Sequence, residues 1–351
     1  MSKSVRSGCS IIVIFEAGQV AQRILDLLQQ PFFIDGEEIH AGASIGITVY
    51  PEDGADAGTL IKNADIALYH AKGLGKLNYQ FYSVALNQAA HQRQTLERQL
   101  RKAMEAEQLF LHYQPMVDIA NGQIIGVEAL LRWIDSELGF VPPDQFIPAA
   151  EESGLIVPLS RWVLREACRQ GMAWERAGLP PLRMSVNISS VHVGRRGPTD
   201  DVAAVLRETG LPAERLDLEI TETSLLSGGT TVDFNLQGLK SLGVRLSLDD
   251  FGTGHSSLSH LKRHPIDVVK IDRSFVSDVT ENAEDAAIVT AVIAMARGLD
   301  LEVVAEGVEK AEHLEFLQQQ GCHWAQGYYF SEPLPAEELV ERLSERHLRL
   351  A

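Results

Sequence analysis

Residues 245–257 read RLSLDDFGTGHSS. The first five alternate polar and apolar side chains with the period of a β-strand; the fifth and sixth are adjacent aspartates, and a loop of glycine and hydroxyl residues follows. A carboxylate carried out of a buried strand is expensive unless a cation or a hydrogen-bond donor meets it. The fold must therefore explain where Asp249 and Asp250 go.

The same alternation recurs on both sides of this stretch. In RLSLDD, Leu246 and Leu248 share one face, and Arg245, Ser247 and Asp249 the other. LDLEITE (216–222) sets Leu216, Leu218 and Ile220 against Asp217, Glu219 and Thr221, and MSVNIS (184–189) sets Met184, Val186 and Ile188 against Ser185, Asn187 and Ser189. VVKID (268–272) puts Lys270 opposite Val269 and Ile271, GVEAL puts Glu128 opposite Val127 and Ala129, and EVVAEG puts Glu306 opposite Val303 and Ala305. With LFLHYQP at 109–115 and WAQGYYF at 324–330 these make eight strand candidates after residue 108, separated by helical stretches such as RWVLREACRQGMAWERAG. Mostly alternating β and α elements over this length predict a (β/α)8 TIM-like barrel, and an Asn121-Gly122 turn between the first two strands predicts one antiparallel strand.

In such a barrel the apolar parity packs on the surrounding helices and the other parity faces the axis. Glu128, Asn187, Glu219, Asp249 and Glu306 then gather at the C-terminal ends of their strands, where barrels place their chemistry, and Asp250 sits where its strand ends. Five carboxylates and an amide need counter-charge. All-oxygen ligation without His or Cys points to Mg²⁺ or Mn²⁺, and the number of ligands suits two ions sharing Asp249.

Before the barrel, residues 1–83 read as a partial α+β fragment. It comprises a strand-like IIVIF (11–15), a helix AGQVAQRILDLLQQ, a hairpin PFFIDGEEIHAGASIGITVY turning at Asp35-Gly36, and a helix DAGTLIKNADIALYHAKG. Residues 84–107 lack Gly and Pro and read as a connecting helix that docks on the barrel, which occupies 108–345. GLGK at 73–76 is too short for a phosphate loop, and the i, i+4 spacing of His260 and His264 does not by itself make a zinc site.

The chain has 351 residues and a formal net charge of −17, which argues against DNA or general nucleic-acid binding. An anionic ligand needs local cations to override that field. Three cysteines, Cys9, Cys168 and Cys322, show no disulfide or zinc spacing and fit a reducing cytoplasm. No apolar run is long enough for a membrane segment.

The motifs resemble those of EAL-domain phosphodiesterases of the bacterial messenger cyclic di-GMP. The resemblance runs through EALLRW (128–133), YQP (113–115), FIPAAEESGLI (146–156), VNIS (186–189), LEITET (218–223), DDFGTGHSSLSHL (249–261), VVKIDRSFV (268–276), VVAEGVE (303–309) and QGYYFSEPLP (326–335). It implies hydrolysis of cyclic di-GMP to linear 5′-pGpG with two metal ions. The first would be held by Glu128, Asn187, Glu219 and Asp249, and the second by Asp249, Asp250 and Glu306. Lys270 matches the lysine that orients the attacking water, Arg132 a phosphate contact, and Gln114, Leu130, Gln326 and Pro333 positions near the substrate. Glu222 matches the glutamate that anchors the loop after Asp250, with His255 standing in that loop where a tyrosine is frequent. A homodimer through the barrel is implied as well.

Two other readings stay open: a cyclic di-GMP receptor without turnover, and a barrel metalloenzyme acting on another phosphodiester. The segment SIGITVYPEDGADAGTLIKNADIALYHAKGLGKLNYQFY resembles the C-terminal half of a GGDEF (diguanylate cyclase) domain. GCSII stands at 8–12 where that family's active-site turn falls, so the resemblance implies a truncated, degenerate remnant without cyclase activity.

Overall fold

A computed structural model describes residues 3–34, 37–39, 41–74, 77–195, 197–227, 229–252, 261 and 263–344. The Asp35-Gly36 turn and the loop 253–260, with His255 and His260, lie outside the described residues. The chain divides into two compact units, Met1–Arg98 and Gln99–Ala351.

In the first unit, helix α1 (Lys3–Leu28) is followed by an antiparallel pair, β1 (Phe32–Ile34) and β2 (Glu37–Ile39). Strand β3 (Ile45–Ile47) leads into α2 (Ala57–Gly73) and pairs in parallel with β4 (Tyr79–Phe81). Asp56 caps α2, accepting from the Thr59 amide at 2.9 Å. At Gly46 an added Cβ would lie 2.1 Å from the Ala64 carbonyl oxygen, so only glycine lets β3 pack this closely on α2.

The IIVIF segment, expected as a strand, lies inside α1. A strand there would need a neighbour for every N–H and C=O, and the described sheets of this unit have only two strands each. A helix satisfies those groups internally. Helix α3 (Val84–Glu105) follows, with Gln99, Leu100 and Ala103 buried.

The second unit is a closed barrel. Its strands are β5 (Leu109–Asp118), β6 (Ile124–Asp135), β8 (Arg183–Asn187), β9 (Leu216–Thr221), β10 (Arg245–Phe251), β11 (Val268–Ile271), β12 (Glu302–Ala305) and β13 (Trp324–Ala325), and β13 returns to β5. Strand β5 runs antiparallel to both neighbours, and its turn into β6 has Gly122 at φ +70 with its amide 2.8 Å from the Asp118 carbonyl. The antiparallel strand expected from Asn121-Gly122 is β5. A ninth strand, β7 (Gly139–Val141), was not anticipated; β6 overshoots the rim, and Trp133 to Asp135 take partners from β7. Strand β13 is far shorter than WAQGYYF suggested. The chain turns away at Gly327, where an added Cβ would lie 2.1 Å from the Val308 carbonyl oxygen.

Two apolar clusters follow the two parities. Val186, Leu218, Leu246, Leu248, Val269, Ile271, Val303 and Ala305 belong to the main core, with the helices. Val268, Val304 and Trp324 form a separate small cluster. Beside it the Arg183 guanidinium stacks 4.5 Å from the Trp324 ring centroid, and Arg183 and Arg245 both pair with Glu302. Asp217 accepts from Ser247 at 2.6 Å, and burial raises its carboxyl above the usual range. The floor of the barrel is thus plugged with paired charge and aromatic packing, and the opposite end is left for the acids.

Candidate active site

Lys270 stands at the centre of the mouth. Its side chain is 1% exposed, and its Nζ lies 2.6 Å from Glu306 Oε1, 2.8 Å from Glu219 Oε2, and 3.4 Å from both Glu128 Oε2 and Asp249 Oδ1. Strands β6, β9 and β10 carry Glu128, Glu219 and Asp249, and Glu306 directly follows β12; Glu219 is level with Asn187 on one side and Ser247 on the other. Glu128 is level with Ser185 and Asp249 with Thr221, so the acids climb by one inward position from β6 to β9 and again to β10.

A second layer of amides fastens Glu128. Asn187 donates to its Oε1 at 2.8 Å, and Gln326 donates to its Oε2 at 2.7 Å. Gln326 also donates to Gln114 Oε1 at 2.9 Å, and Gln114 donates to the Ser331 carbonyl at 3.1 Å.

The adjacent aspartates are explained by a bulge. Between Leu248 and Phe251 the pairing of β10 with β11 slips by one residue, and Asp250 takes φ +56. The extra residue turns the chain through the left-handed region, which aspartate tolerates better than most side chains. Both carboxylates therefore leave the strand end close together, and Asp249 is among the charges that raise the Asp250 carboxyl above its usual range, after burial itself. Just beyond, the Gly252 amide points to Glu222 Oε2 at 3.5 Å, with Glu222 buried at the start of α8 (Glu222–Ser227).

Burial and mutual repulsion set the charges. Burial pushes Glu306 up to about 8 against the pull of Lys270, and burial together with Glu128 raises Glu219 well above its usual range. Glu128 goes the other way: burial raises it, but Lys270 and the Gln326 and Asn187 donors outweigh that and hold it low. Burial works against the charged form of Lys270, yet four surrounding carboxylates drive its pKa well up.

A cavity of about 320 Å³ opens over the cluster, lined by Gln114, Glu128, Leu130, Arg132, Asp249, Glu306, Gln326 and Pro333 among others. Every sequence-predicted substrate position lies on it. Asn187 joins through Glu128, whereas Glu219 and Lys270 lie beneath. Sequence reasoning missed Arg273, Glu309 and Tyr328, which also line it. Their signal was weak, since each follows its strand by two to four residues, where parity no longer points. A second, mostly apolar cavity of about 290 Å³ lies between β6, β8, α4 (Pro143–Ser153) and α5 (Ile156–Arg176), and shares Leu130 and Arg132 with the first.

The donor set fits hard divalent cations: carboxylates and amides, with the buried Glu219 Oε1 lacking a hydrogen-bond partner. The acids converge on Lys270, and among the described residues no three acidic, histidine or cysteine side chains form a ready metal cage. Cys168 and Cys322 are buried, their thiols pushed up to about 12 by burial, and take no part.

A barrel with an acid-lined mouth, one buried lysine beneath it and an arginine beside it defines a class, and the chain belongs to the EAL domain family, whose model matches residues 97–333. Residues 13–78 match the model for the diguanylate cyclase GGDEF domain. The chain is 42% identical over 325 residues to the bifunctional diguanylate cyclase/cyclic di-GMP phosphodiesterase MucR of Pseudomonas aeruginosa, covering 93% of this chain and 47% of MucR. It is 40% identical to the cyclic di-GMP phosphodiesterase PdeR of Escherichia coli, covering 95% of this chain and 50% of PdeR. The chain spans about half the length of these curated relatives. A solved structure of the MucR phosphodiesterase in complex with c-di-GMP matches 70% of this chain and 99% of that one, with 44% identity and a TM-score of 0.67.

Proposed function

We propose that this barrel hydrolyses one phosphodiester bond of cyclic di-GMP to linear 5′-pGpG, using two Mg²⁺ or Mn²⁺ ions. The observation that carries this reading is the convergence of Glu128, Glu219, Asp249 and Glu306 on Lys270 beneath a cavity that also holds Arg132. The cyclic di-GMP phosphodiesterase activity by which MucR and PdeR are named supports it. Glu128, Asn187, Glu219 and Asp249 would hold one ion, and Asp249, Asp250 and Glu306 the other. When bound, the ions would neutralise these acids and the developing charge of an in-line displacement.

The chain's own groups do the rest. Lys270 stays protonated among the carboxylates and orients the attacking water through its N–H donors. Arg132 offers a fork of donors to a phosphate. Gln326 and Gln114 hold Glu128 in one rotamer from the substrate side, while Leu130 and Pro333 supply apolar contact for a base. The two cavities that share Leu130 and Arg132 suit an elongated dinucleotide with its bases apart. Glu222 braces the chain after Asp250. A homodimer through the barrel belongs to the same proposal. Among the described residues no helix is long and apolar enough to cross a membrane.

A receptor without turnover has no use for a complete acid set, and the full set here favours catalysis. The deciding experiment incubates purified protein with Mg²⁺ or Mn²⁺ and cyclic di-GMP beside a Glu128→Ala variant. Linear 5′-pGpG from the parent alone is expected. Binding without product in the parent, or equal product from both, would overturn the reading.

A further inference from the structure

The substrate proposed above carries two phosphodiesters, and the sequence pointed to one arginine. The cavity has two. Arg132 follows Glu128 on β6, and Arg273 begins α10 (Arg273–Val276) just past β11. In the closed barrel β6 and β11 face each other, since three strands separate them either way round. The two guanidinium groups therefore approach the acid cluster from opposite sides, and both line the cavity together with Asp249 and Glu306.

Two glycines fix where Arg273 starts. Gly307 (φ +70) directly follows Glu306, and a Cβ on it would lie 2.5 Å from Arg273 Cβ and 3.1 Å from its Cα. Gly252 (φ +102) lies two residues after Asp250, and a Cβ on it would come within 2.9 Å of the Phe275 ring. The first turn of α10 is thus gripped between the segments that follow Asp250 and Glu306. Arg273 is exposed, and no hydrogen bond or ion pair joins its side chain to a described residue. An unpaired guanidinium, held at the rim of an acidic site, is the cation that a second phosphate needs.

We propose that Arg273 is a second phosphate-binding residue, which takes the phosphodiester of a cyclic dinucleotide that Arg132 does not hold. The inference rests on the reading of the barrel as a cyclic di-GMP phosphodiesterase. Arg273 acts on binding of the ring as a whole, so its loss raises KM by a larger factor than it lowers kcat.

The test compares the parent, Arg273→Gln and Arg273→Lys for KM, kcat and salt dependence, with equilibrium dialysis of cyclic di-GMP against the chelated proteins and a thermal melt of each. For Arg273→Gln, KM and Kd rise about tenfold or more, the loss expected for a charge-assisted hydrogen bond. The salt dependence of KM weakens, the melting temperature stays within a degree or two, and Arg273→Lys recovers part of the loss. Parent-like KM and Kd in Arg273→Gln overturn the inference while leaving the phosphodiesterase reading intact. So does a KM rise matched by a lower melting temperature and not relieved by Arg273→Lys, which marks a structural role. A parent that neither binds nor cleaves cyclic di-GMP overturns the functional reading and this inference together.

Discussion

Lys270 Nζ lies 2.6 Å from Glu306 Oε1, inside a ring of carboxylates from three other strands. Each of these acids is tolerable in the barrel because of that ammonium, and Lys270 keeps its proton because of them.

Replacing Lys270 with methionine preserves length and removes the charge. In chelator the variant is expected to lose about 3–5 kcal/mol of stability, the penalty for leaving buried partners of one sign uncompensated. Magnesium should restore part of it, and turnover should fall at least about a hundredfold by loss of water orientation. Chemical denaturation with and without the metal checks the first part, and 5′-pGpG release the second.

The raised carboxyls predict an unusual pH dependence. Glu306 titrates at about 8 in the folded chain and near the ordinary carboxylate value when unfolded, so the folded state binds more protons between those limits. Stability of the chelated protein is therefore full below the unfolded value and declines as pH rises towards about 8, with Glu219 acting in the same direction. Metal binding must displace those protons, so affinity for Mg²⁺ should increase over the same interval. Melting curves and metal titrations at pH 5.5, 7 and 8.5 give both slopes, and a flat or opposite stability slope would refute the charge assignment.

Asp250 tests backbone against charge. Asparagine accepts φ +56 nearly as well as aspartate, so Asp250→Asn should keep stability within about 0.5 kcal/mol while activity drops at least about a hundredfold. Valine resists that conformation, and Asp250→Val should cost about 1–2 kcal/mol in addition.

Gly327→Ala should disrupt the site without touching an acid. Its Cβ would meet the Val308 carbonyl oxygen at 2.1 Å, forcing the strand end that carries Gln326 to shift. Loss of about 1–3 kcal/mol and a weakened Gln326–Glu128 bond are expected, seen as lower melting temperature and reduced turnover. Gln326→Ala should reproduce the activity loss with less effect on stability.

Parity made the barrel and most of the mouth legible. The inward positions of Glu128, Glu219, Asp249 and Lys270 could be read because each strand puts alternate residues on one face, although the register staggers Glu128, Glu219 and Asp249 by one inward position each. Asp250 could not be placed by parity, because a bulge suspends the alternation at that residue. The amide relay from Ser331 through Gln114 and Gln326 to Glu128 joins segments about two hundred residues apart, and no local pattern encodes it. IIVIF misled because its apolar, β-branched composition reports burial preference, whereas backbone pairing depends on which neighbours the chain supplies. Arg273 was overlooked because an arginine after a strand has no periodic signature.

Strand β5 has one further consequence. Because it alone of the eight barrel strands runs against the others, Leu109 pairs with Trp133 at the catalytic rim, and Asp118 pairs with Trp324 nearer the floor. The polypeptide thus enters the barrel from above, beside the chemistry, where an all-parallel barrel would be threaded from below. A backbone cut immediately before Leu109 would release its loose end next to Arg132, so fusions or permutations made there disturb ligand entry before they disturb the foundations of the fold.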